Sequence, residues 1–193
     1  MQEFIGVTKL ALRDQLLAAR RHLPLNVLGE RARAMAGHLM ATPEVQRAAT
    51  ITAYVSVSSE PGTGPLLDLL RDAGKRVILP LLQPDNDLDW ATYDGPRNLV
   101  TARRGLLEPT GPPLGPDAIA TADAVLVPGL AVGRDGTRLG HGGGCYDRAL
   151  ARVPVGTFVC VMLNSEEVLD VVPRDDHDRS VGAVATELGV TRF

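Results

Sequence analysis

Thr50-Ile51-Thr52-Ala53-Tyr54-Val55-Ser56-Val57, Pro65-Leu66-Leu67-Asp68-Leu69-Leu70-Arg71-Asp72-Ala73 and Arg76-Val77-Ile78-Leu79-Pro80-Leu81-Leu82 decide the fold class between them. The first stretch is apolar and β-branched, as a buried strand requires. The second has leucines at helical spacing and is closed by Gly74, a residue that ends helices. The third returns to a continuous apolar run, the texture of a strand covered on both faces. Strand, helix and strand in this order make a parallel crossover unit.

The same alternation extends outward. Thr8 can cap a helix reaching about Leu23, and a second helical pattern covers Asn26 to Met40. Downstream, strands are expected at Leu88–Tyr93, Ala124–Val127, Thr157–Leu163 and, as the last, Val181–Ala185, with a helix from Cys145 to Arg152. Pro and Gly crowd Glu108 to Pro116, which reads as an ordered surface loop. The expectation is an α/β fold: a single domain spanning residues 1–193, whose mainly parallel sheet is flanked by helices on both faces. Ligands of such sheets lie beyond the carboxyl ends of the strands, so the loops after Val57, Leu82, Val127 and Leu163 are where a site is sought.

Composition narrows the function classes. The 193 residues suffice for one sizeable core, and aromatics are only 4%, so aliphatic side chains must fill it. A net charge of −3 without a basic block argues against nucleic acid as a partner. No apolar run approaches the roughly 20 residues that span a bilayer, and Met1 to Thr8 lacks the pattern of a secretory signal. Cys145 and Cys160 are the only cysteines, too few for a disulfide framework. Together these imply a cytoplasmic protein without membrane or nucleic-acid partners. Of the 20 basic residues, only Lys9 and Lys75 are lysines.

The chemistry concentrates in Arg138-Leu139-Gly140-His141-Gly142-Gly143-Gly144-Cys145-Tyr146-Asp147-Arg148. Glycines at this density let the backbone come close to a ligand, and successive N–H groups can converge on phosphate oxygens. The segment is not a Walker loop, since no Lys-Ser or Lys-Thr follows, nor a dinucleotide fingerprint, since Cys145 stands at the third glycine position. A tight turn is the plain alternative. Arg138 adds a planar donor fork suited to phosphate. Asp147, in the first turn of the following helix, either complements the helix dipole or binds magnesium.

Val127-Pro128-Gly129-Leu130, Gly136 through Gly140, Gly142 through Gly144 and Tyr146-Asp147-Arg148 together resemble the signature of 5-formyltetrahydrofolate cyclo-ligases, also called 5,10-methenyltetrahydrofolate synthetases. The resemblance implies that Lys9, Arg13, Arg138, Leu139, Gly140, Gly142, Gly143, Gly144 and Tyr146 bind ATP, with Arg138 also catalytic. It implies that Val55, Glu60, His141 and Cys145 meet a reduced folate, and that Asp147 and Asp178 share Mg2+. It adds Ser56 through Ser59 and Thr63 to the folate segment, with Gly74-Lys75, Pro80, Pro173 and His177 also in family positions. The reaction it implies is ATP-dependent closure of 5-formyltetrahydrofolate to the 5,10-methenyl form through a phosphorylated formyl oxygen, by a monomer or small homo-oligomer. The chain departs from the family at Leu81, Gly133, His141 and Cys145, where relatives commonly carry a basic residue, Asp, an aromatic or basic residue, and Tyr. Two alternatives accompany this reading: an ATP-using paralogue with another amide or carboxylate acceptor, and a non-catalytic nucleotide or folate binder.

Overall fold

A computed structural model describes residues 8–193; the N-terminal stretch read above as lacking a secretory signal lies, apart from Thr8, outside them. In chain order the elements are α1 (Lys9–Arg21), α2 (Leu25–Met40), α3 (Pro43–Arg47), β1 (Thr50–Thr52), α4 (Gly64–Asp72), β2 (Arg76–Leu82) and β3 (Leu88–Thr92). They continue as β4 (Leu99–Thr101), β5 (Leu107–Pro109), β6 (Ala124–Pro128), β7 (Ala131–Gly133), β8 (Arg138–Leu139) and α5 (Cys145–Leu150). The chain closes with β9 (Phe158–Met162), β10 (Val168–Leu169), β11 (Ala183–Thr186) and β12 (Gly189–Arg192).

Seven strands form the main sheet in the order β12-β11-β9-β6-β1-β2-β3. The five inner strands pair in parallel, and an antiparallel strand closes each edge, β3 on β2 and β12 on β11. Side chains alternate across the strands as the pleat demands. Ile51, Leu79, Leu126, Cys160 and Ala183 meet Met35, Leu39, Leu66 and Leu70 from α2 and α4 on one face. Ile78, Val125, Val127, Val161 and Val184 meet Ala149 and Leu150 of α5, and Ile119, on the other. Helices therefore cover both faces, as the alternation of strand and helix predicts. Among the described residues no helix is long and apolar enough to cross a membrane.

Several expectations need adjusting. The strand beginning at Thr50 pairs only to Thr52; beyond Ala53, whose N–H still bonds Ile78 O, the chain leaves the ladder to build a cavity wall. The first helix is capped by Thr8 as expected, its hydroxyl accepting from Ala11 N, but ends at Arg21 rather than near Leu23. The proline-rich stretch expected to be loop begins inside a two-stranded ribbon, β4 with β5. The last strand is β12, four residues whose Gly189 start and polar tail hide the strand pattern. A second sheet, β10-β7-β8, was not legible because its strands have only two or three residues. Leu12 of α1 packs on this small sheet with Leu130, Ala131, Leu139 and Val172. That packing carries α1 to the carboxyl ends of β1 and β6.

Candidate active site

Chain order reverses at β1: β2 lies on one side of it and β6 on the other. A crevice at such a switch point is where open α/β sheets take ligands. Here it is a cavity of about 950 Å³, lined by α1, the segment after β1, Pro128 at the end of β6, β8, the glycine loop with the start of α5, and residues 173–178. Except for Ser56 and Thr63, every residue named above for nucleotide, folate or magnesium lines it. Of the four loops searched, the one after Leu163 does not reach the cavity but supports it through Glu167, which holds Arg20, and residues 83–87 after Leu82 do not line it either.

Three basic side chains of α1 face the cavity, each tied to a different segment. Lys9 Nζ pairs with Asp178 and, at 2.6 Å, with Asp175. Arg13 Nε donates to Gly140 O at 2.9 Å, gripping the glycine loop. Arg20, buried, forms a two-point pair with Glu167, Nε to Oε1 at 2.6 Å and Nη2 to Oε2 at 2.9 Å, while Nη2 also donates to Gly129 O at 2.7 Å. Sequence reading missed Arg20. Its signal was available: Lys9, Arg13 and Arg20 fall within about 40° of one another around the helix axis, and Arg20 shares that stripe with Leu12 and Leu16.

The glycine loop turns through Gly142 at φ +99° and Gly144 at φ +68°, the latter opening α5 from the left-handed region. Only glycine takes such values without a Cβ penalty. A Cβ on Gly142 would sit 3.5 Å from the Arg13 guanidinium, so the loop and α1 are close-packed. Arg138 does not lie in the loop but in β8, buried, with Nη2 donating to Asp147 Oδ1 at 3.1 Å and its guanidinium 5.9 Å above the Tyr146 ring. Asp147 Oδ1 also accepts from Arg179 N at 3.1 Å, which ties α5 to the residue following Asp178.

Glu60 lines the same cavity. Burial pushes its carboxyl above the ordinary value, against the Val57 N–H bond at 2.8 Å and the Arg20 charge. His141 of the glycine loop stands beside it, Nε2 to Glu60 Oε1 at 3.7 Å. Burial, then the Arg20, Arg138 and Arg13 charges, pull His141 down to about 4, so it is neutral beside Glu60 at physiological pH. Asp178 is held low: burial opposes its ionisation, and the Asp175 N–H and Lys9 outweigh burial. Asp175, His177 and Asp178 place ligand atoms within 4.8 Å of one another, and Asp147 stands outside that cluster, engaged by Arg138.

Some motif positions serve structure. Ser56 and Thr63 bond each other reciprocally, N to Oγ1 at 2.8 Å and N to Oγ at 3.0 Å, closing the Val57–Glu60 loop at its base. Lys75 donates to Gln46 O and Ala48 O at the end of α3, away from the cavity. Gly133 also lies away from it, and a Cβ there would stand 2.8 Å from Asp135 Oδ1, a carboxylate that caps Thr137. The departure at Gly133 is thus a packing matter, whereas His141 and Cys145 do face the cavity.

The 5-formyltetrahydrofolate cyclo-ligase family profile matches residues 5–187. The chain belongs to this family. The 5-formyltetrahydrofolate cyclo-ligase of Mycolicibacterium smegmatis is 41% identical over 184 residues, covering 93% of each chain. That of Escherichia coli K12 is 31% identical over 175 residues, covering 86% of this chain and 93% of its own. The solved 5,10-methenyltetrahydrofolate synthetase of Aquifex aeolicus superposes with a TM-score of 0.81 at 28% identity, over 96% of this chain and 93% of that one.

Proposed function

We propose that this protein closes 5-formyltetrahydrofolate to 5,10-methenyltetrahydrofolate with consumption of ATP and Mg2+. One observation carries the reading: Lys9, Arg13, Arg138 and the glycine loop, suited to phosphate, line one cavity together with Glu60. Its volume lies at the upper end of the roughly 300–1,000 Å³ of ordinary ligand sites, as two substrates side by side require.

The formyl oxygen of an N-formyl amide leaves poorly. Phosphorylated, it departs as phosphate when the neighbouring N10 amine attacks the formyl carbon and loses its proton. Phosphoryl transfer of this kind depends on positioning and charge neutralisation. Arg13 positions the loop through Gly140 O, and the loop's N–H groups and Arg138 are set to receive phosphate oxygens. Lys9 exchanges its two aspartates for phosphate charge. Glu60 orients the pterin by accepting from its ring N–H and amino group. Leu82, Leu88, Leu106 and Leu107 keep water from the reacting centre.

The donor set suits a hard divalent cation: Asp178 with Asp175 beside it, and Asp147 tied to the same segment through Arg179 N. Asp147 and Asp178 would hold Mg2+, which supplies neutralisation of the nucleotide's phosphates. No protein nucleophile is required, and Cys145 has no covalent role.

The test is the ATP-dependent rise of methenyl-folate absorbance with purified protein. One product per ATP is expected. A flat trace at saturating 5-formyltetrahydrofolate, with magnesium-ATP demonstrably bound, would instead select a family paralogue with another acceptor, consistent with the departures at His141 and Cys145, which line the cavity.

A further inference from the structure

At the cavity floor lie polar groups that the proposed mechanism leaves unused. Arg20 is 2% exposed, and although Nε and Nη2 are occupied by Glu167 and Gly129, Nη1 has no acceptor among the described residues. The hydroxyls of Tyr54 and Tyr146 are equally buried and equally without a partner. All three side chains line the same cavity. Burial holds both phenols well above their ordinary values, so both remain neutral hydroxyls. A buried donor left unsatisfied is costly, and with Arg138 Nε, equally without a partner, four such atoms belong to side chains of one cavity and mark a surface built to meet a polar ligand edge.

The identity of that edge follows from what lies beside it. Arg20, Tyr54 and Glu60 line the same cavity, within reach of the Arg20 charge, which bears on both the carboxyl and the phenol. The cavity therefore offers an acceptor, Glu60, and within electrostatic reach of it a donor that cannot accept, Arg20 Nη1. A 4-oxopterin carries the complement on one edge: the 2-amino and N3–H donors, and next to them the C4 carbonyl oxygen. Tyr54 and Tyr146 can donate or accept and so follow whichever pattern the fixed groups impose.

We propose that Arg20 is a specificity-determining residue that donates from Nη1 to the 4-oxo oxygen of the pterin whose N3–H and amino group meet Glu60, with the Tyr54 and Tyr146 hydroxyls completing that subsite. This rests on the folate reading above. Glu167 and Gly129 hold the guanidinium in one rotamer, so the donor is already in place before the ligand arrives. The segment after β9 thereby acquires a purpose: Glu167, bonded also to Asn164 N at 2.9 Å, fixes the charge that fixes the pterin.

The experiment compares binding of 5-formyltetrahydrofolate with its 4-amino-4-deoxy counterpart, by calorimetry on the full chain. The 4-amino group turns the acceptor into a donor set against Arg20 and also removes the N3–H that Glu60 accepts, so the preference of the unaltered protein reports both residues and its change in Arg20→Lys reports Arg20. The unaltered protein should favour the 4-oxo ligand by at least about 30-fold, equivalent to about 2 kcal/mol. Arg20→Lys, checked for folding by its melting transition, should reduce that preference to about fivefold or less, since lysine keeps the charge without the fork. Tyr54→Phe, which removes one hydroxyl without disturbing the ion pair, should weaken the 4-oxo ligand while leaving magnesium-ATP binding unchanged. Equal or tighter binding of the 4-amino ligand by the unaltered protein would overturn the proposal without needing any variant. A folded Arg20→Lys protein that discriminates fully would do the same. Absence of any 5-formyltetrahydrofolate binding sinks the folate reading and this inference with it, whereas binding without discrimination sinks this inference alone.

Discussion

Replacing Arg138 with lysine keeps a cation at the cavity edge and removes the fork. The arginine is buried in β8 and makes three contacts: Asp147 Oδ1 at 3.1 Å, Pro128 O at 3.2 Å, and the Tyr146 ring at 5.9 Å. A charge-assisted hydrogen bond contributes about 1.5–3 kcal/mol and a bond to a neutral carbonyl about 0.5–1.5. The ring contact adds about 0.5–1 kcal/mol. A single ammonium cannot reach Asp147 and Pro128 with the planar geometry of a guanidinium, so the net loss is about 2 kcal/mol, or about 30-fold. If that energy positions the phosphoryl group, it appears in kcat/KM for ATP, read from methenyl-folate formation over a range of ATP concentrations. The melting temperature, measured alongside, separates positioning from folding. A folded Arg138→Lys protein with kcat/KM within about threefold of the parent would refute the reasoning, because the fork would then contribute nothing in the transition state.

Asp178→Asn should weaken magnesium-ATP binding by at least about tenfold and shift the magnesium dependence of turnover to higher concentration; an unaltered magnesium titration would remove Asp178 from the metal site. Affinity for 5-formyltetrahydrofolate should fall on acidification before affinity for ATP does. Burial raises the Glu60 carboxyl, so it takes up a proton at higher pH than an ordinary glutamate and ceases to accept from the pterin, while His141, pulled down to about 4, is still neutral. The apoprotein has the opposite linkage: the raised Glu60 value adds stability at low pH that is lost as pH rises through it. A pH profile of the folate KM that is the same in Glu60→Gln would contradict this assignment. Cys145→Ser should retain activity within about an order of magnitude, because no thioester lies on the path; complete loss in a folded protein that still binds ATP would restore a covalent mechanism.

Sequence periodicity was enough to place the inner strands, because a buried parallel strand is an uninterrupted apolar run and the leucines between such runs repeat at helical spacing. β2 coincides with its expected bounds, Arg76–Leu82, and α2 with its own to one residue. Short strands escaped because two or three residues show no period: β8 holds Arg138 and Leu139, and nothing local separates them from the glycine loop that follows. The edge strand β12 escaped for a different reason, since an edge strand with one partner and solvent beside it need not be apolar.

By itself the sequence determined the fold class and the glycine loop with its phosphate-suited neighbours, since these are written as runs and spacings along the chain; the residues proposed for a pterin came from the family resemblance alone. Only the tertiary structure decided which of those residues meet. Lys9 and Asp178 lie far apart in the chain and touch because Leu12 seats α1 on the small sheet. Ser56, Thr63, Lys75 and Gly133, which share the motif positions, were sorted out as supports by their contacts alone. Arg20 joined the site for the same reason: an arginine on an apolar stripe is a liability by composition, and its value depends on Glu167 and Gly129, brought beside it from the loops that follow β9 and β6. Spacing along a chain records what one helix or strand can present, whereas the contact between charges on different elements exists only after the core has closed and excluded water.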